Sequence, residues 1–178
     1  MAEIAIKQIF DVSKTALMRH GAQEWIADHV ADAVAKSESV GNRICGLYYL
    51  ESYCQQLITG RVSGAVEPVV SKPKEAAIFV DAKFGFAQPA FAKALPNALV
   101  QARKSGVATL SVGHAHTCTS LGYFTEQIAC QGLIGIGFTN ASPIVAPPGG
   151  KTRAIGTNNH IDIWSPCHFR VMMITKMK

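Results

Sequence analysis

The sequence predicts an α/β fold, with a mainly helical region over residues 1–70 followed by a mixed α/β sheet over residues 71–158. Three observations predict it. Apolar residues recur at three- and four-residue steps through most of the opening sixty positions, the period of helices with one buried face. Two short apolar runs, VATLSV and LIGIGFT, then bracket a helix-like segment between Gly106 and Asn158, the pattern of a strand–helix–strand unit. Finally, 178 residues that are 48% hydrophobic and 16% charged suffice to bury a substantial core.

Taken in order, the alternating AEIAIKQIF reads as a short strand, after which Ser13 caps a helix running to Arg19 with Gly21 as its stop. Ala22, Trp25, Ile26, His29, Val30, Ala33 and Val34 form the apolar stripe of a second helix that ends near Gly41, and His29 within that stripe reads as structural. A third helix runs from Leu47 to Ile58, with Leu47, Leu50, Tyr53, Cys54, Leu57 and Ile58 toward the core and Gly60 just beyond. AVEPVV and EAAIFVDAK read as strands separated by the breaker SKPK and followed by a flexible FGFAQP. The alanine-rich PAFAKALPNALVQARKSG is a helix ending in Arg and Lys before Gly106, with a kink or a restart expected at Pro96. Strand 107–112, helix 120–131 and strand 133–139 complete the unit.

Composition narrows the function. The net charge of +5 comes without a basic cluster interleaved with aromatics, and Arg170, Lys176 and Lys178 at the end carry much of it, so a nucleic-acid partner is not expected. No apolar run approaches the ~20 residues of a membrane-spanning helix, so no membrane partner is expected either. Cysteines at 45, 54, 118, 130 and 167 form no CxxC pair and follow no secretory signal, which fits a reducing cytoplasm.

Chemistry concentrates where the two central strands end, because groups at the carboxyl ends of parallel strands face a common crevice. His114, His116 and Cys118 alternate there and, on an extended backbone, would share a face as nitrogen and sulfur ligands. Zinc sets usually pair a tight couple with a distant one, and Cys130 and His160 do not complete such a pattern, so no metal is expected. A catalytic imidazole and a histidine bonded to backbone are evenly weighed alternatives for this strand end. Gly135-Ile136-Gly137 lacks the third glycine of a dinucleotide fingerprint and lies inside a strand, so its glycines read as a place of close packing. The loop TNASPIVAPPGGKTRAIGTN combines stiffening prolines, glycines that admit close backbone approach, and the cations Lys151 and Arg153, which suits an anionic cofactor or a carboxylate substrate, with a solvated turn as the alternative.

These residues, above all LGYFTEQIACQGLIGIGFTNASPIVAPPGG and AIGTN, together with GLYYLESYCQQLITGRV, resemble the malate/L-lactate dehydrogenase family that is distinct from the common Rossmann-type malate and lactate dehydrogenases. It includes ureidoglycolate and sulfolactate dehydrogenases and the Δ1-piperideine-2-carboxylate/Δ1-pyrroline-2-carboxylate reductases. The likeness runs over residues 1–158, the family's N-terminal half. It implies NAD- or NADP-dependent hydride transfer between the cofactor and a small 2-oxo or cyclic 2-imino acid, in a cytoplasmic homodimer with a non-Rossmann cofactor fold. GLYYLESYC and HTCTSLGYFTE look closest to the imino-acid reductases. By resemblance Thr117, Cys118, Thr119, Ser120 and Leu121 touch the cofactor, and Thr139, Asn140, Ser142, Gly149, Gly150, Thr157 and Asn158 wall the nicotinamide and substrate.

The chain departs from the family at three places. Many members carry Ser-His-Gly where this chain has Ile44-Cys45-Gly46, which lacks the hydroxyl and imidazole of an acid/base pair. Thr117 stands where many members have a histidine proton donor, with His116 one residue earlier as the catalytic candidate. After Asn158 the family continues with an apolar strand and its second half, whereas residues 159–178 read as a divergent tail, and a truncation or frameshift is expected. An inactive remnant of the family is therefore the alternative to an active enzyme.

Overall fold

The structure is a computed structural model that describes residues 4–116, 118–140, 143–156, 160–163 and 171–176, the last two segments as backbone only. Helices α1 (Ile6–Arg19), α2 (Glu24–Ser39) and α3 (Leu47–Ile58) come first, with one 3-10 turn at Arg43–Cys45. Strands β1 (Val69–Lys74) and β2 (Ala77–Asp81), helix α4 (Ala87–Ser105), strand β3 (Val107–Gly113), helix α5 (Leu121–Ala129) and strand β4 (Ile134–Phe138) follow. Strands β5 (Pro143–Val145), β6 (Ile155–Gly156), β7 (His160–Ile163) and β8 (Val171–Lys176) complete the order. The result is a mixed α/β architecture.

The main sheet runs β1-β2-β3-β8-β4-β7. Its centre is parallel, through β2 with β3, β3 with β8, and β8 with β4, and the edge strands β1 and β7 are antiparallel to their neighbours. The two central strands of the sequence reading are thus parallel but not paired, because β8 stands between them. Backbone at 160–163 and 171–176, within the stretch that reads from sequence as a divergent tail, forms strands of this sheet.

Alternation fixes which face of the sheet is covered. Ile78 and Val80 of β2, and Ala108, Leu110 and Val112 of β3, are buried on the face that packs α4. Helix α4 answers with Ala90, Ala94, Ala98 and Ala102, all fully buried at four-residue steps, so helix and sheet approach closely over small side chains. Pro96 falls on the exposed face between these alanines, and the helix continues through it without restarting. Gly106 ends it at φ +81.

Helix α5 sits on β4, and the glycines there are a packing device, as the sequence suggested. A Cβ on Gly135 would come within 2.9 Å of the Thr125 carbonyl oxygen, and one on Gly137 within 3.1 Å of the Thr125 methyl. A second apolar cluster joins α1, α2 and α3 around Leu17, Ile26, Val30, Val34 and Tyr53 and reaches Phe86 at the start of α4. Tyr123 of α5 ties this layer to the first by donating to Asp32 of α2 at 2.9 Å, with Lys36 and Glu126 paired at 2.7 Å beside it. His29 holds its place in the α2 stripe edge-on to Trp25, and burial pulls its imidazole below the usual value.

Several local expectations are corrected. From Ile6 onward AEIAIKQIF is helix and not strand: Ile9, Ser13 and Leu17 lie four apart on one buried helical face, so Ser13 is interior to α1, whose N-cap is Ala5. SKPK belongs to β1, where Pro73 is tolerated because the strand is an edge and its register shifts between Ser71 and Lys74. FGFAQP is not a flexible segment, since Phe86 and Gln88 are each 1% exposed and α4 begins at Ala87. Ile58 is exposed, whereas Tyr53, Cys54 and Leu57 are buried as expected.

Gly135→Val is expected to force α5 off β4 and to destabilise the fold by about 1–3 kcal/mol. Urea denaturation of the two proteins measures this.

Candidate functional site

The carboxyl ends of β2 and β3 are held together by more than their ladder. Beyond the register that sets Asp81 opposite Gly113, Ala82 N–H donates to the Gly113 carbonyl at 2.9 Å, Phe84 N–H to the His114 carbonyl at 2.7 Å, and His116 N–H to the Gly85 carbonyl at 2.8 Å. The chains therefore run side by side out of the sheet, and Phe86 and His116 form a parallel bridge. Lys83, Phe84 and His114 take left-handed backbone angles on the way, at φ 47, 61 and 46. Such positions cost about 1–3 kcal/mol each for non-glycine residues and gather where a site needs a side chain in one place.

What this geometry places at the rim is an imidazole–carboxylate pair. Nδ1 of His114 is 3.0 Å from Oδ1 of Asp81, whose same oxygen accepts the Lys83 N–H at 2.8 Å. The Lys83 amide first, and His114 with it, hold the Asp81 carboxyl below the usual carboxylate range. The Phe84 ring, 68% exposed, lies 5.5 Å from the His114 ring. From sequence, His114 reads as a metal ligand or as one of the strand-end imidazoles that are either catalytic or bonded to backbone, and Asp81 is passed over. The signal for the pair is the β2–β3 register, which a single sequence does not display.

Further along, Cys118 to Leu121 lead into α5. Cys118 donates through Sγ to Thr139 Oγ1 at 3.6 Å, so the segment after β3 and the residue after β4 meet. An apolar slot opens there, lined by Ala87, Val112, Cys118, Leu121, Phe124 and Phe138 with Thr139 as its hydroxyl. Ser120 is the N-cap of α5 and makes no side-chain capping bond.

Beneath the slot lies a buried polar network. Tyr53 of α3 donates to Thr119 Oγ1 at 3.1 Å, Thr119 donates to the Cys118 carbonyl at 2.8 Å, and Gln88 Nε2 reaches both the Tyr53 oxygen and that carbonyl at 3.4 Å. Burial pushes the Tyr53 phenol far above its usual value, so it stays a hydroxyl donor. Oε1 of Gln88 is buried with no hydrogen-bond partner. The network holds Thr119 at φ 52. Neither Tyr53 nor Gln88 is a candidate from sequence, since Tyr53 reads as part of a helix face and Gln88 as part of the flexible FGFAQP.

The remaining expected residues divide. His116 is half-buried beside Phe86, Asn140 is exposed past Thr139, and Gly149 and Gly150 sit in the turn of a separate hairpin made by β5 and β6. In that hairpin Gly149 takes φ +77, Gly150 N–H donates to the Pro147 carbonyl at 2.8 Å, and Lys151 and Arg153 are exposed. From Pro143 to Gly156 the loop thus forms a hairpin of its own, and of the loop's described residues Thr139 is the one that lines the slot. Thr117, Ser142, Thr157 and Asn158 lie outside the described residues. Ile44 is 72% exposed, and burial pushes the Cys45 thiol up, with Cys118 among the groups that add to the effect. His114, His116 and Cys118 do not share an extended backbone, and no group of three His, Cys, Asp or Glu among the described residues is placed to hold a metal.

Comparison with known proteins gives the class. The family model for malate/L-lactate dehydrogenase matches residues 4–161, and the chain belongs to that family. Among its relatives are oxidoreductases. One is the Delta(1)-pyrroline-2-carboxylate/Delta(1)-piperideine-2-carboxylate reductase of Pseudomonas syringae pv. tomato, 32% identical over 87% of this chain and 45% of the relative. Another is the (2R)-3-sulfolactate dehydrogenase (NADP(+)) of Chromohalobacter salexigens, 32% identical over 87% of this chain and 46% of that one. The crystal structure of delta1-piperideine-2-carboxylate reductase from Pseudomonas syringae superposes with a TM-score of 0.83 at 32% identity, covering 89% of this chain and 48% of the other. Malate dehydrogenase from Pyrococcus horikoshii gives 0.83 at 25% identity, covering 90% and 46%. The chain spans about half the length of the relatives it matches.

Tyr53→Phe is expected to leave Gln88 and Thr119 short of a buried partner and to lower stability by about 1–3 kcal/mol, read by urea denaturation.

Proposed function

We propose that this chain binds NAD or NADP at the carboxyl ends of β3 and β4 and serves hydride transfer between the nicotinamide and a small 2-oxo or cyclic 2-imino acid, the imino acid being preferred. The observation that carries this reading is the apolar slot closed by the Cys118–Thr139 contact, inside the segment that matches an oxidoreductase family. The slot encloses only about 20 Å³, room for about one water, so Ala87, Val112, Leu121, Phe124 and Phe138 form an apolar floor at the sheet end, marked by the Thr139 hydroxyl, against which a flat ring would rest. Gln88 Oε1, orphaned beneath the segment, is an acceptor for a carboxamide N–H or for water. Cys118, Thr119, Ser120 and the uncapped start of α5 suit an anionic phosphate.

Residues 1–70 then act as the helical support and residues 71–158 as a cofactor-binding part that is not of the Rossmann type. Ser142, Gly149, Gly150, Thr157 and Asn158 are assigned to its outer wall by resemblance alone. An imidazole at the end of β3 supplies the proton, and His116 is the candidate that stands one residue before Thr117, the position of the histidine in many members. A cytoplasmic homodimer completes the reading. A second reading, a family member that holds the cofactor without turnover, is favoured by Cys45, since burial keeps its thiol protonated where many members have an imidazole.

Titration of the purified chain with NADH and NADPH is expected to give a saturable fluorescence change below millimolar cofactor. Assays on pyruvate, oxaloacetate, Δ1-pyrroline-2-carboxylate and Δ1-piperideine-2-carboxylate are expected to show the fastest oxidation of cofactor with a cyclic imino acid. Binding without turnover on any of them selects the second reading, and no binding removes both.

A further inference from the structure

We infer that His114, oriented by Asp81, is the imidazole that transfers the proton in this crevice. The inference rests on the hydride-transfer reading above and names the residue that does the acid/base work within it. Four observations carry it. First, His114 and Asp81 close the ends of neighbouring parallel strands, where open sheets present their ligand-facing groups. Second, Nδ1 faces the carboxylate at 3.0 Å, so Nε2, on the opposite side of the ring, points away from Asp81.

Third, the His114 side chain is 48% exposed, so a substrate can reach it from solvent and water can restore its proton. Fourth, the pair is held at a backbone cost. His114, Lys83 and Phe84 all adopt left-handed angles, and the bonds from Phe84 N–H to the His114 carbonyl and from Lys83 N–H to Asp81 keep them there. A solvated turn has no need of three strained side-chain-bearing residues in register. The exposed Phe84 ring beside the imidazole supplies an apolar wall, and Lys83 brings a positive charge next to the pair for an anionic substrate.

This arrangement offsets the sequence's departure at Ile44-Cys45-Gly46. There burial holds the thiol protonated, and a protonated thiol neighboured by a second thiol is a weak stand-in for an oriented imidazole. At the β2–β3 rim an imidazole already has its orienting carboxylate.

The step balances as a simple proton transfer. When bound, the nicotinamide supplies the hydride. The Nε2–H bond of the His114 imidazolium breaks, an O–H bond on a 2-oxo acid or an N–H bond on a 2-imino acid forms, and the ring keeps the electron pair. His114 is left neutral with its Nδ1–H on Asp81, whose charge does not change. In the reverse direction Nε2 takes the proton from the hydroxy or amino acid.

The test uses the whole chain, with NADPH and Δ1-piperideine-2-carboxylate for turnover, and NADP+ with the flat, unreactive analogue pyrrole-2-carboxylate for binding. His114→Ala is expected to lower kcat by about 100-fold or more while KM moves little, and added imidazole is expected to restore part of the loss. Asp81→Asn is expected to lower kcat in the same direction by a smaller factor. In imidazole 15N spectra of the unaltered chain, the His114 Nε2 resonance, assigned by its loss in His114→Gln, is expected to move when the analogue is added. An unchanged kcat in His114→Ala, an Nε2 resonance indifferent to the analogue, or imidazole rescue of His116→Ala in place of His114→Ala overturns the inference. Absence of cofactor binding or turnover in the unaltered chain overturns the reading beneath it, and that result is read before any variant is made.

Discussion

The arrangement described here depends on the parallel pairing of β2 with β3 and on its continuation past the last ladder residue. In a parallel pair the bonds are evenly spaced, and the two strands leave the sheet in the same direction. Here three further backbone bonds, from Ala82, Phe84 and His116, keep the departing chains together. That constraint sets Asp81 beside His114, sends Phe86 back into the core at the start of α4, and delivers Cys118 to the foot of α5. Were the two segments to part at Gly113, each side chain at the rim would lose its neighbour.

The helical layer serves the same end from behind. Tyr53 stands edge-on to Phe86 and Tyr49, at 5.3 and 5.1 Å between ring centres, and so packs α3 against the start of α4. Its hydroxyl then reaches Thr119, which ties the apolar packing of α1, α2 and α3 to the conformation of the segment ahead of α5. A buried hydroxyl in this position acts through direction more than through energy. Its single proton goes to Thr119, which fixes the Gln88 amide with its nitrogen toward the Tyr53 oxygen.

Much of this was legible in the sequence, and what was not has physical reasons. Helix α3 was readable to its ends because Leu47, Tyr53, Cys54 and Leu57 keep the helical period and Gly60 follows. The close packing at Gly135 and Gly137 was readable because glycine in a strand has few other uses. The opening reads as a strand because Ile4 and Ile6 stand two apart, while the buried spacing of Ile9, Ser13 and Leu17 emerges only once α2 is placed against them. Pro73 and Pro96 both read as interruptions in the sequence, yet one stands on an edge strand and the other on the outer face of a helix, positions that only the tertiary arrangement defines. At the site, Cys118 and Thr139 were named and do meet. Asp81, Gln88 and Tyr53 were not, because each gains its role from a partner more than thirty residues away.

Hydrogen exchange of the chain with and without NADPH tests the central claim most directly, since it needs neither a substrate nor an assumed activity. Slower exchange is predicted at Lys83–Phe86 and at Cys118–Gly122, the two segments that meet at the carboxyl edge, with little change in α1. Protection confined to the hairpin of β5 and β6, or no protection at saturating cofactor, would contradict a nicotinamide crevice at the ends of β2, β3 and β4.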